Sequence, residues 1–323
     1  QAVEDFSFSW DDKAYSITAS IGVVEIGANA SDARDVIGSA EGACFAAKEQ
    51  GRNRVRAFHA DDDELTRYGP THWVTRLNEA LEDNGFRLFY QAVVPLSRAP
   101  GAQRDRHYEL LLRMKDPTGK LANAATFLPF AERYNMIQLM DRWVVRSAFE
   151  WLSTRPKDAG DVLIEVKVSE ASVADATFAE YVQTQLEKLR IPARWICFQI
   201  GASAVVSRPA NATQLVRTLR GLGFKISLDD LGGGLLSVVQ IRNLEVDFLR
   251  IDASHTSRVV EDELDRTLVK AMIEIARISN RRTIAKMVEQ DEALTVLRDL
   301  GVDCAQGFAI SKPRPLEFLK KDG

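Results

Sequence analysis

From residue 85 onward, short apolar runs alternate with helix-length amphipathic stretches. The runs are LFYQAVV (88–94), YELLLRM (108–114), VLIEVKVS (162–169), WICFQI (195–200), GFKISLDD (223–230), VDFLRID (246–252), RTIAKMV (282–288) and DCAQGFAIS (303–311). Most are separated by segments of helical periodicity, such as FAEYVQTQLEKLR (178–190) and ATQLVRTLRGLG (212–223). Strand–helix alternation predicts a mostly parallel sheet covered on both faces. Eight such units match a closed α/β barrel of the (β/α)₈, TIM-like type, which takes about 250 residues. An open doubly wound sheet is the alternative; it would want a glycine-rich phosphate loop after its first strand, and none stands there.

The first 84 residues follow a different rhythm. Residues 6–25 alternate in two runs around Asp11-Asp12-Lys13 and read as a hairpin. Residues 31–51 read as a helix, with Ser31 or Asp32 to cap its start and Gly51 to end it. NRVRAFH (53–59) reads as one more strand. DDDELTRYGP (61–70) is polar and closes on Gly-Pro, as a linker does. A helical pattern then runs from Trp73 to Asn84.

Composition narrows the class. The 323 residues are 46% hydrophobic and 27% charged, with a net charge of -4. That is a globular balance with no bias toward nucleic acid or anionic membrane, so no DNA partner is expected. Cys44, Cys197 and Cys304 have no paired spacing, which argues against disulfides and zinc and for a reducing, cytoplasmic setting. No apolar run approaches about 18 residues, so no membrane span is expected. The opening QAVEDFSFSW has neither an initiator methionine nor a signal peptide. The expectation is a fragment of a longer polypeptide.

Polar residues recur near the ends of the apolar runs: Gln91, Glu109 with Arg113, Lys167, Gln199, Asp229 with Asp230, Arg250 with Asp252, Lys286 and Gln306. In VLIEVKVS, Glu165 and Lys167 share one face of the strand, opposite Ile164, Val166 and Val168. Burying a charge costs several kcal/mol unless it is paired, so scattered rim charges are a poor explanation. The C-terminal mouth of a barrel gives such groups water, partners and a ligand. Asp229-Asp230 before Leu231-Gly232-Gly233-Gly234 suits a hard divalent cation, although Asp-Asp before glycines is often only a turn. Arg113, on the face of Glu109 and Leu111, suits a phosphate; a plain Glu109–Arg113 ion pair is the alternative.

At these residues the chain resembles the EAL domain family of cyclic-di-GMP phosphodiesterases and their degenerate relatives, over residues 73–323. YELLLR matches the name-giving motif and its arginine. SLDDLGGG resembles the Asp-Asp-Phe-Gly-x-Gly stretch, VDFLRID the Asp-x-Leu-Lys-Ile-Asp stretch, AQGFAISKP the closing Gln-Gly-Tyr/Phe segment, and TFLPFAERYNMI the segment after the second strand. Residues 6–58, with SITASIGVV and ACFAAKEQGRNRV, resemble the C-terminal third of a GGDEF domain. The resemblance implies three parts: residues 1–60 as the end of a GGDEF-like domain, 61–84 as linker and helix, and 85–323 as the barrel of a bacterial tandem GGDEF–EAL protein. It also implies a first barrel strand antiparallel to the rest.

Catalytic members of that family hydrolyse cyclic-di-GMP with two divalent cations. Glu109, Asp229, Asp230 and Glu289 stand where the family has its carboxylates. Gln91, Glu109, Leu111, Arg113, Lys167, Asp229, Lys286, Gln306 and Pro313 are the positions expected to line the dinucleotide. The departures are as informative. Lys167 replaces an asparagine ligand, Gln199 a glutamate ligand, Lys286 a glutamate, Arg250 the lysine of Lys-Ile-Asp, and Ala202 the glutamate expected to anchor the glycine loop. A charged lysine has three donors and no lone pair for a metal. The expectation is a degenerate, catalytically inactive barrel that needs no cofactor and receives cyclic-di-GMP, Lys167 or Lys286 replacing a metal as counter-charge to phosphate. A scaffold for a protein partner or self-association, without nucleotide, is one alternative. A residual phosphodiesterase using Mg²⁺ or Mn²⁺ is the other.

Overall fold

The computed structural model describes residues 7–10, 13–16, 18–26, 33–49, 53–58, 70–83, 85–96, 106–115, 119–156, 160–232 and 238–320. In chain order the first elements are β1 (Ser7–Trp10), β2 (Lys13–Ser16), β3 (Ile21–Val23), α1 (Ala33–Glu49), β4 (Val55–Ala57) and α2 (Pro70–Glu82). Then come β5 (Phe86–Pro95), β6 (His107–Lys115), β7 (Leu121–Asn123), α3 (Ala124–Arg133), α4 (Ile137–Ser153), β8 (Leu163–Val168), α5 (Glu170–Ala174), α6 (Phe178–Leu189) and β9 (Ile196–Gly201). The chain continues through α7 (Ala202–Ser207), α8 (Pro209–Gly221), β10 (Lys225–Leu231), α9 (Val238–Asn243), β11 (Phe248–Ile251), α10 (Ala253–Thr256) and α11 (Glu263–Ile278). It closes with β12 (Arg282–Ala285), α12 (Asp291–Leu300), β13 (Cys304–Ala305) and β14 (Arg314–Pro315).

Two compact units result, residues 1–86 with 114–136, and residues 87–113 with 137–323. In the first, β1 and β2 form the expected antiparallel hairpin, but the second alternating run splits. Its end, β3, pairs in parallel with β4. Gly22 of β3 faces α1 so closely that a Cβ there would fall 2.0 Å from the Ala40 carbonyl oxygen. The turn at Asp11-Asp12, the caps at Ser31 or Asp32 and at Gly51, the linker at 61–69, Asn84 and the loop at Gly233-Gly234 lie outside the described residues.

The second unit is built on the barrel. Strands β6, β8, β9, β10, β11, β12 and β13 run parallel in that order, β5 pairs antiparallel with β13, and β5 with β6 closes the ring. Outward-facing Ile164, Val166, Ile196, Phe198, Ile226 and Leu228 share one buried cluster with Val145 and Phe149 of α4, Phe178 and Val182 of α6, and Leu215 and Leu219 of α8. Inside the ring, Val93, Cys197, Phe248, Ile284 and Cys304 form an apolar floor, joined by Leu163. Toward the C-terminal ends of the parallel strands, and toward Gln91 on antiparallel β5, the interior turns polar.

The last two strands are shorter than their apolar runs. Met287 takes a left-handed backbone (φ 49°), which ends β12 before Lys286. The chain beyond β12 is laced instead to the chain beyond β13: Val288 N–H donates to the Gln306 carbonyl at 3.0 Å and Ala309 N–H to the Val288 carbonyl at 3.1 Å. Gly307 sits inside this lacing, where a Cβ would meet the Val288 oxygen at 2.0 Å. Gly307→Ala is therefore expected to destabilise the fold by about 1–3 kcal/mol, the range for overpacking a tight site; urea unfolding measures it.

Candidate functional site

Every barrel strand contributes to one polar constellation above the apolar floor. Gln91 comes from β5, Glu109 from β6, Glu165 and Lys167 from β8, Gln199 from β9, Asp229 and Asp230 from β10, and Arg250 from β11. Lys286 and Gln306 are the first residues beyond β12 and β13. Their convergence follows from strand parity: Glu165, Gln199, Arg250, Lys286 and Gln306 each lie two residues on from the inward-facing Leu163, Cys197, Phe248, Ile284 and Cys304, Gln91 lies two before Val93 on antiparallel β5, and Lys167 continues the face of Glu165.

Arg250 is the centre. Its side chain is 1% exposed, and it carries three carboxylates. Nη1 donates to Glu165 Oε2 in a short contact, and Nη2 donates to Glu109 Oε2 at 3.0 Å and to Gln306 Oε1. Nε lies 3.4 Å from Asp229 Oδ1. Glu165, wholly buried, also takes His107 Nε2 at 2.8 Å and the Gln199 amide. Burial alone would push the Glu165 carboxyl up; Arg250 and His107 overcome that and hold it below the ordinary value. Burial likewise opposes the Arg250 charge, and Glu165, Glu109 and Asp229 more than offset it, raising its pKa. Gln306 hands the network on, donating to Glu109 and, at 3.1 Å, to Gln91 Oε1. Gln91 in turn donates to the Ser311 carbonyl at 2.8 Å.

The upper layer is a second ion-pair system. Asp229 takes Lys286 Nζ on Oδ1 at 2.7 Å and Lys167 Nζ on Oδ2 at 3.2 Å. Lys286 also reaches Asp230, whose backbone is left-handed (φ 59°). Although burial would raise Asp229, Arg250, Lys167 and Lys286 hold its carboxyl far below the usual range. Lys167 is partly desolvated, which disfavours its charge, but Asp229 and Asp230 keep the ammonium above its ordinary pKa. Lys286 is largely enclosed, with 15% of its side chain exposed, whereas Lys167 is 58% exposed and open at the mouth.

The donor set does not fit a pair of divalent cations. Both oxygens of Asp229 and one of Asp230 face ammonium groups, and the carboxylates of Glu109 and Glu165 face a guanidinium. Among the described residues no group of three or more His, Cys, Asp or Glu is arranged to hold a metal ion. One like-charge contact at 4 Å costs about 4 kcal/mol at an effective dielectric of 20.

Other sequence-derived positions lie outside this network. Arg113 is half-buried, donates to the Leu112 carbonyl at 2.9 Å and lies 5.7 Å over the Phe89 ring. Glu109 pairs with Arg250 instead, so the plain Glu109–Arg113 pair does not form. Burial lowers the Arg113 pKa. Leu111 is partly exposed on the same strand, Pro313 precedes β14, and Glu289 is exposed beyond β12. Two participants, Glu165 and His107, were not singled out by sequence as site residues. The signal for Glu165 was there, a carboxylate two residues before Lys167 on the same face of an apolar strand.

The chain after Asp230 is tethered from α10. His255 Nε2 meets the Gly232 carbonyl at 3.1 Å, and its Nδ1 meets Asp265 Oδ1 of α11 at 2.7 Å. Only the imidazolium can donate to both. Burial works against that charge, but the two hydrogen bonds raise the His255 pKa. A raised folded pKa gives stability that is full below the unfolded value of about 6.5 and is lost as pH rises through the folded one. Thermal midpoints should therefore fall from acid to alkaline pH more in the wild type than in His255→Gln.

A family model described as the EAL domain matches residues 74–313. The chain belongs to the EAL domain family. Cyclic di-GMP phosphodiesterase PdeB of Shewanella oneidensis is 33% identical over 304 residues, covering 94% of this chain and 35% of PdeB. The chain spans about a third of the length of the first curated relatives it matches. Among solved structures, the PaMucR phosphodiesterase in complex with c-di-GMP superposes with a TM-score of 0.70 at 27% identity, covering 77% of this chain and 99% of that one. The FimX EAL domain from Pseudomonas aeruginosa bound to c-di-GMP gives 0.68 at 26% identity, covering 75% and 96%. The EAL assignment agrees with the closed barrel, in which β5 pairs antiparallel with β13.

Proposed function

We propose that this EAL barrel is a degenerate, metal-free receptor or allosteric module for cyclic-di-GMP that does not hydrolyse it. One observation carries the reading: the carboxylates matching the family's metal positions are occupied by Lys167, Lys286 and Arg250 of the chain itself. The dinucleotide has two phosphate charges and two flat guanines. Lys167, open at the mouth, supplies counter-charge to one phosphate, and Arg113 supplies a guanidinium further along β6. PaMucR and FimX, both EAL structures solved with c-di-GMP, support the ligand class. Residues 1–60 are read as the end of a GGDEF-like domain in a cytoplasmic tandem protein.

PdeB supports the competing reading, a metal-dependent phosphodiesterase. That reading requires Lys167 and Lys286 to leave Asp229 before any cation enters. The two are separated by a triple variant, Lys167→Asn with Gln199→Glu and Lys286→Glu. It should bind Mn²⁺ measurably by calorimetry where the wild type gives no heat. Equal Mn²⁺ binding by both proteins would mean that the lysines do not block the carboxylates. Arg113→Ala should weaken cyclic-di-GMP binding by about 1.5–3 kcal/mol, the range for hydrogen bonds to charged groups; an unchanged affinity would remove Arg113 from the site.

A further inference from the structure

The backbone carbonyl of Lys286 has no strand to pair with. Successive carbonyls along a strand point to opposite neighbours. That of Ala285 accepts the Gln306 N–H at 2.9 Å, on the β13 side. That of Lys286 therefore points toward β11, which has ended at Ile251 and turned into α10. Thr256, the last residue of α10, takes the place of the strand: its Oγ1 donates to the Lys286 carbonyl at 2.6 Å. Thr256 is wholly buried. The same peptide sets the left-handed backbone of Met287 (φ 49°). A non-glycine residue keeps such a backbone where its surroundings over-determine it. Met287 is 57% exposed, so packing of its own side chain does not impose it. The Thr256 bond on one side and the Val288–Gln306 bond on the other do.

We propose that Thr256 is the positioning residue for Lys286, its hydroxyl fixing the peptide from which the ammonium reaches Asp229 and Asp230. The inference rests on the reading that this ammonium occupies those carboxylates. In the ring β11 lies between β10 and β12, so the Lys286–Asp230 pair bridges the exits of the two strands on either side of it. Helix α10 and its cap hold both exits. On the β10 side the Asp252 N–H donates to the Leu231 carbonyl at 2.9 Å, and His255 Nε2 meets the Gly232 carbonyl at 3.1 Å. On the β12 side Thr256 holds Lys286. One turn of helix thus fixes the separation that the lysine spans. Without the Thr256 hydroxyl the Lys286 carbonyl is buried with no donor, which is costly. The peptide then turns, Met287 relaxes out of the left-handed region, and Lys286 leaves the aspartates for part of the time.

Acylation of the 323-residue chain with N-hydroxysuccinimidyl acetate, read by peptide mass spectrometry, tests this, with exposed Lys188 as the reference. In the wild type Lys286 should label more slowly than Lys188. Thr256→Val keeps the side-chain volume and removes the donor. It should raise the Lys286 rate relative to Lys188 about fivefold, the population shift that loss of one ordinary hydrogen bond gives. Thr256→Ser keeps the hydroxyl, removes a methyl, and should label as the wild type does. A purely packing role would reverse the two results. Lys225, paired with Asp247 at the opposite end of β10, should label alike in all three proteins. A protected Lys286 indifferent to Thr256→Val would overturn the proposal alone. So would Thr256→Ser behaving as Thr256→Val, or Lys225 accelerating as much as Lys286. A wild-type Lys286 as reactive as Lys188 would overturn the proposal together with the reading it rests on.

Discussion

Arg250→Met is expected to remove about 3–5 kcal/mol of folding stability, the loss that follows when one partner of a buried ion pair is deleted. The size comes from what is left behind. Glu165 is 0% exposed and would keep only His107 and an amide. Glu109 and Asp229 would lose the same guanidinium. Adding Glu165→Leu to Arg250→Met should recover much of the loss, because replacing both partners with apolar groups removes the orphaned charge. Chemical denaturation of the two single variants and the double variant gives the coupling directly. A loss below about 1 kcal/mol for Arg250→Met, the worth of an exposed pair, would mean that the guanidinium is not the centre of the barrel.

The second large effect is on chemistry. With Mg²⁺ or Mn²⁺ supplied, the wild-type chain should show no detectable conversion of cyclic-di-GMP to the linear dinucleotide. In a two-metal site the cations activate water and stabilise the leaving oxygen, so a site that cannot hold them loses many orders of magnitude. The donors are committed elsewhere. Lys286 bridges Asp229 and Asp230, and Lys167 closes the remaining Asp229 oxygen. The depressed pKa of Asp229 gives these pairs a defined pH range. Their stabilisation is present above the ordinary carboxylate value, about 3.9, and is lost only as pH falls through the lower folded value. Acidification to moderate pH therefore does not free the carboxylate for a metal. Robust turnover abolished by Glu109→Ala would establish the phosphodiesterase reading.

The barrel was legible because its strands are continuous apolar runs with helices between them, and the position of Glu109, Lys167, Gln199, Asp229 and Lys286 near the ends of those runs pointed to one shared mouth. Less legible were the partners. Glu165 was visible as the same-face companion of Lys167. Its bonds, however, go to Arg250, 85 residues on, and to His107, 58 residues back, and no local pattern encodes such pairs. Sequence also offered both lysines equally as phosphate counter-charges. Geometry separates them, enclosing Lys286 between two aspartates while leaving Lys167 open. The run RTIAKMV suggested a longer strand; the left-handed Met287 ends it, a backbone choice that an apolar pattern does not reveal. In the same way, the run at 303–311 conceals the close approach of Gly307 to Val288.

The most direct test of the receptor reading is calorimetry of the wild-type chain with cyclic-di-GMP in EDTA, repeated with excess Mg²⁺. Binding held by Lys167 and Arg113 should have the same affinity in both and weaken as salt is added, since the contacts are between charges partly open to solvent. Binding seen only with Mg²⁺, or no heat at high micromolar ligand in either buffer, would contradict it.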